Sequence, residues 1–514
     1  MQMGIMHAKS ARPDKKSGHA IIYILLAVLL VSLAAYLFTH LMAPSFYDDD
    51  TTYEMLAYWL YTGNSDFIFL PPYSARLLQI IPIAIFYKLL GVNFLSNAMW
   101  NIISTVLLVI ITFYIGKELY NEYAGLLSAF LLSFFPILIM LGSSGNETIP
   151  MAMFAALAVL SFIRGYSRDS SRYYFVTGIS IFAAFLASPL GAVIGVIIVG
   201  YLLILYISPK QLTGIRITRK SAHILSGVLL SVALLTIFDY IVSGNPLLTI
   251  EISIGFASGP YFIAPAAPSP YYEVLLLPNL YFKPVVAVIS TSLFFYISIA
   301  ASAYLLFRKV RVSYLPVFWF AFGLLYLIAG PMYINLFPFR YATIPQEWRF
   351  LTLLSSPMCI LPSILIVKIY SAHKKRRPAA LIIGAVIVAS LVFTSAKTNV
   401  FNYNSYLNSM LPQFYLASYL SSLPNSTTIY LPSYLPNIIV YMHFDNTSRF
   451  KYYSGFITNC SSSENYDYII IVNSTLSSSN NVLSCPSWQQ VDFLKNETDV
   501  SKTAIYLYLN KAAT

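Results

Sequence analysis

Charge is scarce in this sequence: Asp, Glu, Lys and Arg make up 10% of its 514 residues, against roughly a quarter in an ordinary soluble protein. Beside 58% hydrophobic residues, that shortage excludes a soluble enzyme. Histidine and cysteine are scarce too, at 6 and 3, and they do not cluster at zinc-ligand spacing, so no zinc module is expected. The polar tail has no glycine-rich phosphate loop, which argues against a second active site there. What the sequence does have is apolar length. Runs of about 20 residues, enough to cross a bilayer, recur from Ile21 to the early 390s. From about Thr398 to Thr514 the chain is instead rich in Ser, Asn, Tyr and Thr, and its apolar runs shorten to strand length.

The expected architecture is a polytopic α-helical membrane protein with a small C-terminal extracytoplasmic α/β domain. It divides into a basic leader at 1–19, a transmembrane domain at 20–397 and a soluble domain at 398–514. About eleven spans are predicted, at 20–41, 95–116, 123–141, 148–163, 174–189, 190–207, 223–242, 285–307, 314–330, 350–369 and 379–395. The first, with a basic leader and full membrane length, reads as a retained anchor. In the tail, strands are predicted at 428–430, 438–441, 468–472 and 504–509, after a helical stretch near 405–422.

The sequence has 31 Lys and Arg against 20 Asp and Glu, a net charge of +11. Basic residues gather at 9–16, Lys117, 164–172, 210–220, 308–311 and 368–377. With the N-terminus inside, all of them fall on one side, as the positive-inside rule requires. The excess therefore reports orientation and not nucleic-acid binding. The parity holds only if Leu77–Leu90, which carries Pro82 and Lys88, lies along the outer interface instead of crossing. Asn-X-Ser/Thr sequons at Asn146, Asn425, Asn446, Asn459, Asn473 and Asn496 all land outside in this topology. Cys359 reads as a small apolar packing residue. Cys460 and Cys485 lie in the exported tail, where a disulfide closing about 25 residues would contribute about 3 kcal/mol; two free thiols are the alternative.

Three outer loops concentrate chemistry. The first holds Asp48-Asp49-Asp50-Thr-Thr-Tyr53-Glu54, four carboxylates that are costly to ionise together beside a bilayer. Thr51-x-x-Glu54 fits a capping box for a helix that Gly63 would end, but capping does not ask for three consecutive acids, so catalysis or metal binding stands beside it. The second holds Glu147 at a helix start with Pro150 in the first turn, where complementing the helix dipole is the simpler reading. The third holds Glu347-Trp348-Arg349, for which interfacial anchoring is the simpler reading. His40, at the outer end of the first span, reads as an interfacial side chain. Asp239, near the outer end of the seventh, is not expected to face lipid as an ion and would line a cavity.

Asp49-Asp50-Thr-Thr-Tyr53-Glu-Met-Leu-Ala57 resembles the "Asp-Glu-Ala-x-Tyr-x-x-x-Ala" signature of GT-C-type, polyprenyl-phosphate-sugar-dependent glycosyltransferases. The branch it is most similar to holds the protein O-mannosyltransferases and the lipid A aminoarabinose transferase. Asp50 stands where that branch usually has Glu. The resemblance continues through Pro71-Pro72, Leu89-Leu90-Gly91, Gly116-Lys117-Glu118-Leu119, Glu147, Ser243-Gly244-Asn245-Pro246-Leu247 and Arg349-Phe350-Leu351, covering roughly residues 20 to 395. An oligosaccharyltransferase is disfavoured, because that family's Trp-Trp-Asp motif has no counterpart among Trp59, Trp100, Trp319, Trp348 and Trp488.

The resemblance implies transfer of one sugar from a polyprenyl (dolichyl-type) phosphate to a hydroxyl of a protein, glycan or lipid acceptor on the outer face, with inversion. Asp49 is the implied base. Asp50 and Glu147 would orient the acceptor or hold a divalent ion, Mg, Mn or Zn, with metal dependence left open. Arg349 is the first candidate for the donor phosphate and Arg76 and Arg340 the second, since a guanidinium grips phosphate with a fixed fork. Tyr53, Glu347, Tyr271 and Tyr272 are candidate contacts for sugar or acceptor. The partners implied are the lipid donor, its acceptor and the bilayer, with a prokaryotic, archaeal-like plasma membrane preferred to the endoplasmic reticulum. A transporter of lipid-linked sugars and a non-catalytic scaffold are the competing classes. A transporter would place more polar residues at mid-membrane than these spans do.

Overall fold

The computed structural model describes residues 16–41, 49–63, 73–207, 214–258, 291–336, 339–343, 348–372 and 377–422, and five strands between 429 and 510. Asp48, Tyr271, Tyr272, Glu347, Cys460 and Cys485 lie outside the described residues. The helices in chain order are α1 (Lys16–Thr39), α2 (Asp49–Thr62), α3 (Leu77–Leu90), α4 (Phe94–Leu119), α5 (Glu122–Leu132), α6 (Pro136–Gly142), α7 (Thr148–Arg168) and α8 (Ser171–Ala187). They continue with α9 (Val193–Ile207), α10 (Gly214–Ser243), α11 (Leu248–Ser258), α12 (Phe294–Phe307), α13 (Tyr314–Ala329), α14 (Ser355–Ala372) and α15 (Arg377–Ser422).

Among the described residues, seven helical segments are long and apolar enough to cross a membrane, and eight if α5 and α6, bent by 61° where Pro136 opens the second, form one span. The spans expected at 174–189, 190–207 and 285–307 coincide with the shorter apolar helices α8, α9 and α12. α3 occupies Leu77–Leu90 as expected and, at 14 residues, is too short to cross. α15 is one unbroken helix of 46 residues that runs straight through the composition change at Thr398. At 1.5 Å per residue it is roughly 70 Å long, more than twice a bilayer's hydrocarbon thickness, so one end must stand outside the membrane.

Local chemistry sets several of these boundaries. Asn93 and Asn121 cap α4 and α5 by accepting the backbone N–H of Ser96 and Ala124, each at 2.9 Å. Gly63 follows α2 at φ +75°, the left-handed conformation that suits glycine at a helix end. α8 and α10 cross at Gly178 and Gly227, where a Cβ on either would overlap the facing backbone of Ile224 or Phe175; small residues bring two spans together this closely because dispersion, not water exclusion, drives packing in lipid. Asp239 is buried in α10, and its carboxylate accepts the Thr249 N–H at 2.9 Å and hydroxyl at 2.7 Å in the first turn of α11. That is how it is satisfied.

One pairing has no counterpart in the sequence reading. A hairpin, β1 (Pro331–Leu336) and β2 (Phe339–Thr343), follows α13 and pairs Asn335 with Arg340 across its strands. In the tail, β4 (Phe450–Tyr453), β3 (Ile429–Pro432), β5 (Tyr468–Val472), β7 (Ala504–Asn510) and β6 (Trp488–Lys495) lie side by side in that order. β3 is parallel to β4 and β5, whereas β7 is antiparallel to β5 and β6. The strand expected at 438–441 lies outside the described residues.

Candidate active site

α2 is fixed by its apolar face. Tyr53, Leu56 and Ala57 pack on Ile80, Ile83 and Tyr87 of α3 in a cluster of their own, where each fully buried large side chain is worth about 1.5–3 kcal/mol. The helix begins at Asp49, two residues before the proposed capping box, so Thr51 lies inside its first turn and not at the N-cap position. Asp49 and Asp50 are thereby in the first turn, where the helix dipole favours negative charge. Glu54, one turn on, points inward to the side-chain amide of Asn97 and is fully buried.

Asp49 is the meeting point. Its Oδ2 lies 2.7 Å from the Arg349 guanidinium and 3.8 Å from that of Arg76, and its carboxylate is hydrogen-bonded by the Tyr73 phenol. Arg349 comes from a 3-10 turn, Trp348–Leu354, that leads into α14. Arg76 comes from the residue just before α3, and it also lies 3.0 Å from Glu147 Oε1 at the mouth of α7. Its guanidinium sits over the rings of Tyr53 and Tyr73, at 5.3 and 5.6 Å, a placement the ring quadrupoles favour. Two other stretches of chain, at 73–76 and at Arg349, thus converge on the Asp49 carboxylate, and Glu147 joins them through Arg76. Burial, reinforced by the Asp49 charge, raises the Tyr73 phenol above its ordinary pKa and keeps it a hydrogen-bond donor.

Behind this cluster, amides pin the corner before α7. Asn146 donates to Asp50 Oδ1 at 2.8 Å, and its own Oδ1 accepts the Thr148 N–H at 3.0 Å and hydroxyl at 2.6 Å. Asn101 donates to the Asn146 carbonyl at 2.6 Å and Gln79 to the Gly145 carbonyl at 2.6 Å. The Asn146 side chain is fully buried and committed to a turn and to Asp50, so this sequon is not available for glycosylation in the folded protein. Glu147 does not cap α7 with its side chain; it is buried and paired with Arg76 instead.

Of the residues singled out from sequence, the structure brings Asp49, Asp50, Glu147, Arg76 and Arg349 together. Tyr53 lies beneath Arg76, fully buried. Arg340 lies in β2, opposite Asn335 of β1, and its side chain is outside the described residues. Sequence reasoning missed Tyr73, Gln79, Asn97, Asn101 and the role of Asn146. A signal existed: Asn97, Asn101, Ser104, Thr105 and Thr112 are all buried on α4, polar side chains within an apolar span where apolar residues would be the default.

Asp50 and Glu147 do not fit a divalent ion as a pair. An amide N–H faces Asp50 and a guanidinium faces Glu147, and both are donors, not ligands. Among the described residues no three His, Cys, Asp or Glu side chains come together as a metal set.

The family model described as dolichyl-phosphate-mannose-protein mannosyltransferase matches residues 80–238. No curated protein matches the sequence. Among solved structures, ArnT from Cupriavidus metallidurans in the apo state aligns with a TM-score of 0.57 at 11% identity, over 96% of this chain and 98% of its own. With undecaprenyl phosphate bound, the same protein gives 0.54 at 10% identity and the same coverage. The oligosaccharyltransferase of Archaeoglobus fulgidus in complex with zinc and sulfate gives 0.54 at 12% identity, over 87% of this chain and 67% of its own. Likeness at such identity speaks for the fold. Together with the family-model match over residues 80–238 and the apolar helices, it gives the chain the fold of these multi-pass membrane glycosyltransferases.

Proposed function

We propose that the protein moves one sugar from a polyprenyl phosphate to a hydroxyl of a protein, glycan or lipid acceptor at the outer face of a prokaryotic plasma membrane, with inversion. The observation that carries this reading is the shared oxygen: Asp49 Oδ2 touches Arg349 at 2.7 Å and has Arg76 at 3.8 Å. Base and phosphate ligands meet at one atom. The structures of ArnT with undecaprenyl phosphate and of AglB from Archaeoglobus fulgidus with an inhibitory peptide and dolichol-phosphate lend a precedent for both substrates.

Without donor, Asp49 neutralises Arg349. The donor's phosphate replaces that carboxylate on the guanidinium, because a charge-assisted fork suits phosphate as well as carboxylate, and Asp49 is left free beside the sugar. The acceptor oxygen then attacks the anomeric carbon while its proton passes to Asp49. The bond from the anomeric carbon to the phosphate oxygen breaks, its electron pair leaves on the lipid phosphate, and Arg349 and Arg76 hold the charge that develops there. Tyr73 orients Asp49 through its hydrogen bond, Asn146 holds Asp50, and Glu147 holds Arg76 in place. No step is assigned to a metal ion.

The tail, 398–514, is placed on the same outer side as an accessory domain that contacts acceptor, carried there by the end of α15. The test is direct: purified protein is incubated with a panel of polyprenyl-phosphate sugars and acceptors, and released lipid phosphate is measured. Release from one donor that requires acceptor supports the reading. No release from any donor, with the lipid-linked sugar crossing the bilayer of a vesicle instead, would replace it with transport.

A further inference from the structure

The other end of the membrane core holds a recess for which the transfer reaction has no use. α7 runs for 21 residues, from Thr148 beside the site to Arg168, about 30 Å at 1.5 Å per residue. Near its far end, Phe162 and Tyr166 line a pocket with Tyr201 and Leu205 of α9 and with Arg311 and Leu315 at the start of α13. The pocket encloses about 490 Å³ between atoms, counting its open mouth. Its floor is aliphatic and aromatic, whereas its rim is charged. Glu118, on that rim, is already engaged by Arg164 at 3.1 Å and Arg168 at 3.6 Å. The Arg311 guanidinium is exposed and makes no ion pair or hydrogen bond among the described residues. Arg164 and Arg168, beside the pocket, offset the Glu118 carboxylate, so Arg311 leaves the pocket's mouth positive.

We propose that this pocket holds one anionic phospholipid of the surrounding bilayer, with the headgroup phosphate on Arg311 and the first part of an acyl chain between Phe162, Leu205 and Leu315. Three observations select this occupant. Arg311 opens a segment, Arg311–Ile328, that is apolar enough to cross the membrane, so its guanidinium stands at headgroup depth. Tyr166 and Tyr201 each combine an apolar ring with a polar tip, the side-chain type enriched at that depth. A soluble anion would use the charge and leave the apolar floor empty, whereas a lipid uses both; basic pockets between spans on the cytoplasmic side recognise anionic headgroups in this way. The lipid bridges the ends of α7, α9 and α13, which makes it a structural ligand and not a substrate.

The full-length protein is reconstituted in nanodiscs of phosphatidylcholine with and without phosphatidylglycerol, released gently, and its retained lipids are counted by native mass spectrometry. Wild type is expected to keep one phosphatidylglycerol and no fixed phosphatidylcholine. Arg311→Gln is expected to lower that occupancy about fivefold, while Arg308→Gln, on the same basic side but outside the pocket, leaves it unchanged. Leu205→Trp fills the floor with every charge kept, and it is expected to expel the lipid; a thermal melt confirms that each variant is folded. Equal retention in Arg311→Gln and wild type overturns the proposal, as does an equal loss in Arg308→Gln or retention of phosphatidylcholine. Displacement of the lipid by glycerol 3-phosphate from solution overturns it too, because the site would then read only a phosphate.

Discussion

The two ends of α7 each pair a glutamate with arginine, and the pairs differ in what surrounds them. At the outer end Glu147 is 0% exposed and Arg76 13% exposed, 3.0 Å apart. At the inner end Glu118 is 21% exposed, with Arg164 at 24% and Arg168 at 54%. Water screens the inner set, so its bridges contribute little and its charge serves mainly to orient the chain. The outer set is enclosed, and there an unpaired charge costs several kcal/mol. The same residue types therefore do different work: the outer pairs hold one another in a geometry that a substrate phosphate can take over, and the inner ones remain solvated.

The sharpest way to break that contrast is Asp49→Asn. It keeps the helix-capping ability of the side chain but removes the base, so turnover is expected to fall roughly 100-fold or more while donor binding persists, as measured by sugar transfer beside donor affinity. Near-normal transfer would return Asp49 to a purely structural role. Arg349→Lys keeps the charge but loses the fork; sugar transfer is expected to drop at least about tenfold, with the loss in donor affinity, turnover or both. Unchanged values would take Arg349 out of the site. Asn146→Ala removes the amide from Asp50 and the turn from Thr148, leaving buried partners unsatisfied, which costs about 1–3 kcal/mol of stability; thermal melts should show it, and mass spectrometry of the expressed wild type should find no glycan on Asn146.

Smaller effects sharpen the comparison from the other side. Burial first, and the nearby Asp50 charge second, push the Glu54 carboxyl well above the ordinary carboxylate range. The folded protein therefore holds this proton to higher pH than the unfolded chain does. The stability it supports is fully present below the ordinary carboxylate pKa and is lost as pH rises through the raised value. Glu54→Gln, neutral at every pH and still able to accept from Asn97, should flatten that dependence in melts taken from acid to alkaline buffer. A slope identical to that of wild type would assign the pH dependence to another group. At the inner end, Glu118→Gln should change stability by no more than about 1 kcal/mol and leave transfer untouched. A loss as large as that of Asp49→Asn would erase the distinction between the two ends.

Much of this was legible in the chain. The acidic loop after α1, Glu147 at a helix start and Arg349 at a span entrance were visible as charges in a sequence that has few, and the outer arginines were conspicuous because the positive-inside bias runs against them. The strand at 468–472 was read to the residue as β5. Other parts were hidden. The hairpin of β1 and β2 carries prolines and aromatics that read as an irregular loop, since pairing between strands is a property of two segments and not of either alone. Asn146 looked like a glycosylation sequon, because its Asn-Glu-Thr triplet serves equally as a turn whose amide caps Thr148. The bond from Thr249 to Asp239 was hidden because it joins two helices across a turn.

The sequence alone determined that this chain is built of membrane-length apolar segments and where its few charges fall between them, because the cost of putting charge in hydrocarbon is a local property of each segment. Only the tertiary structure decided which of those charges meet. Asp49, Arg76, Glu147 and Arg349 come from stretches up to 300 residues apart (349 − 49), and no local pattern specifies their distances. Those are set by how α2 packs on α3, by how α4 amides hold the corner before α7, and by the turn that brings Arg349 back to the mouth of the bundle.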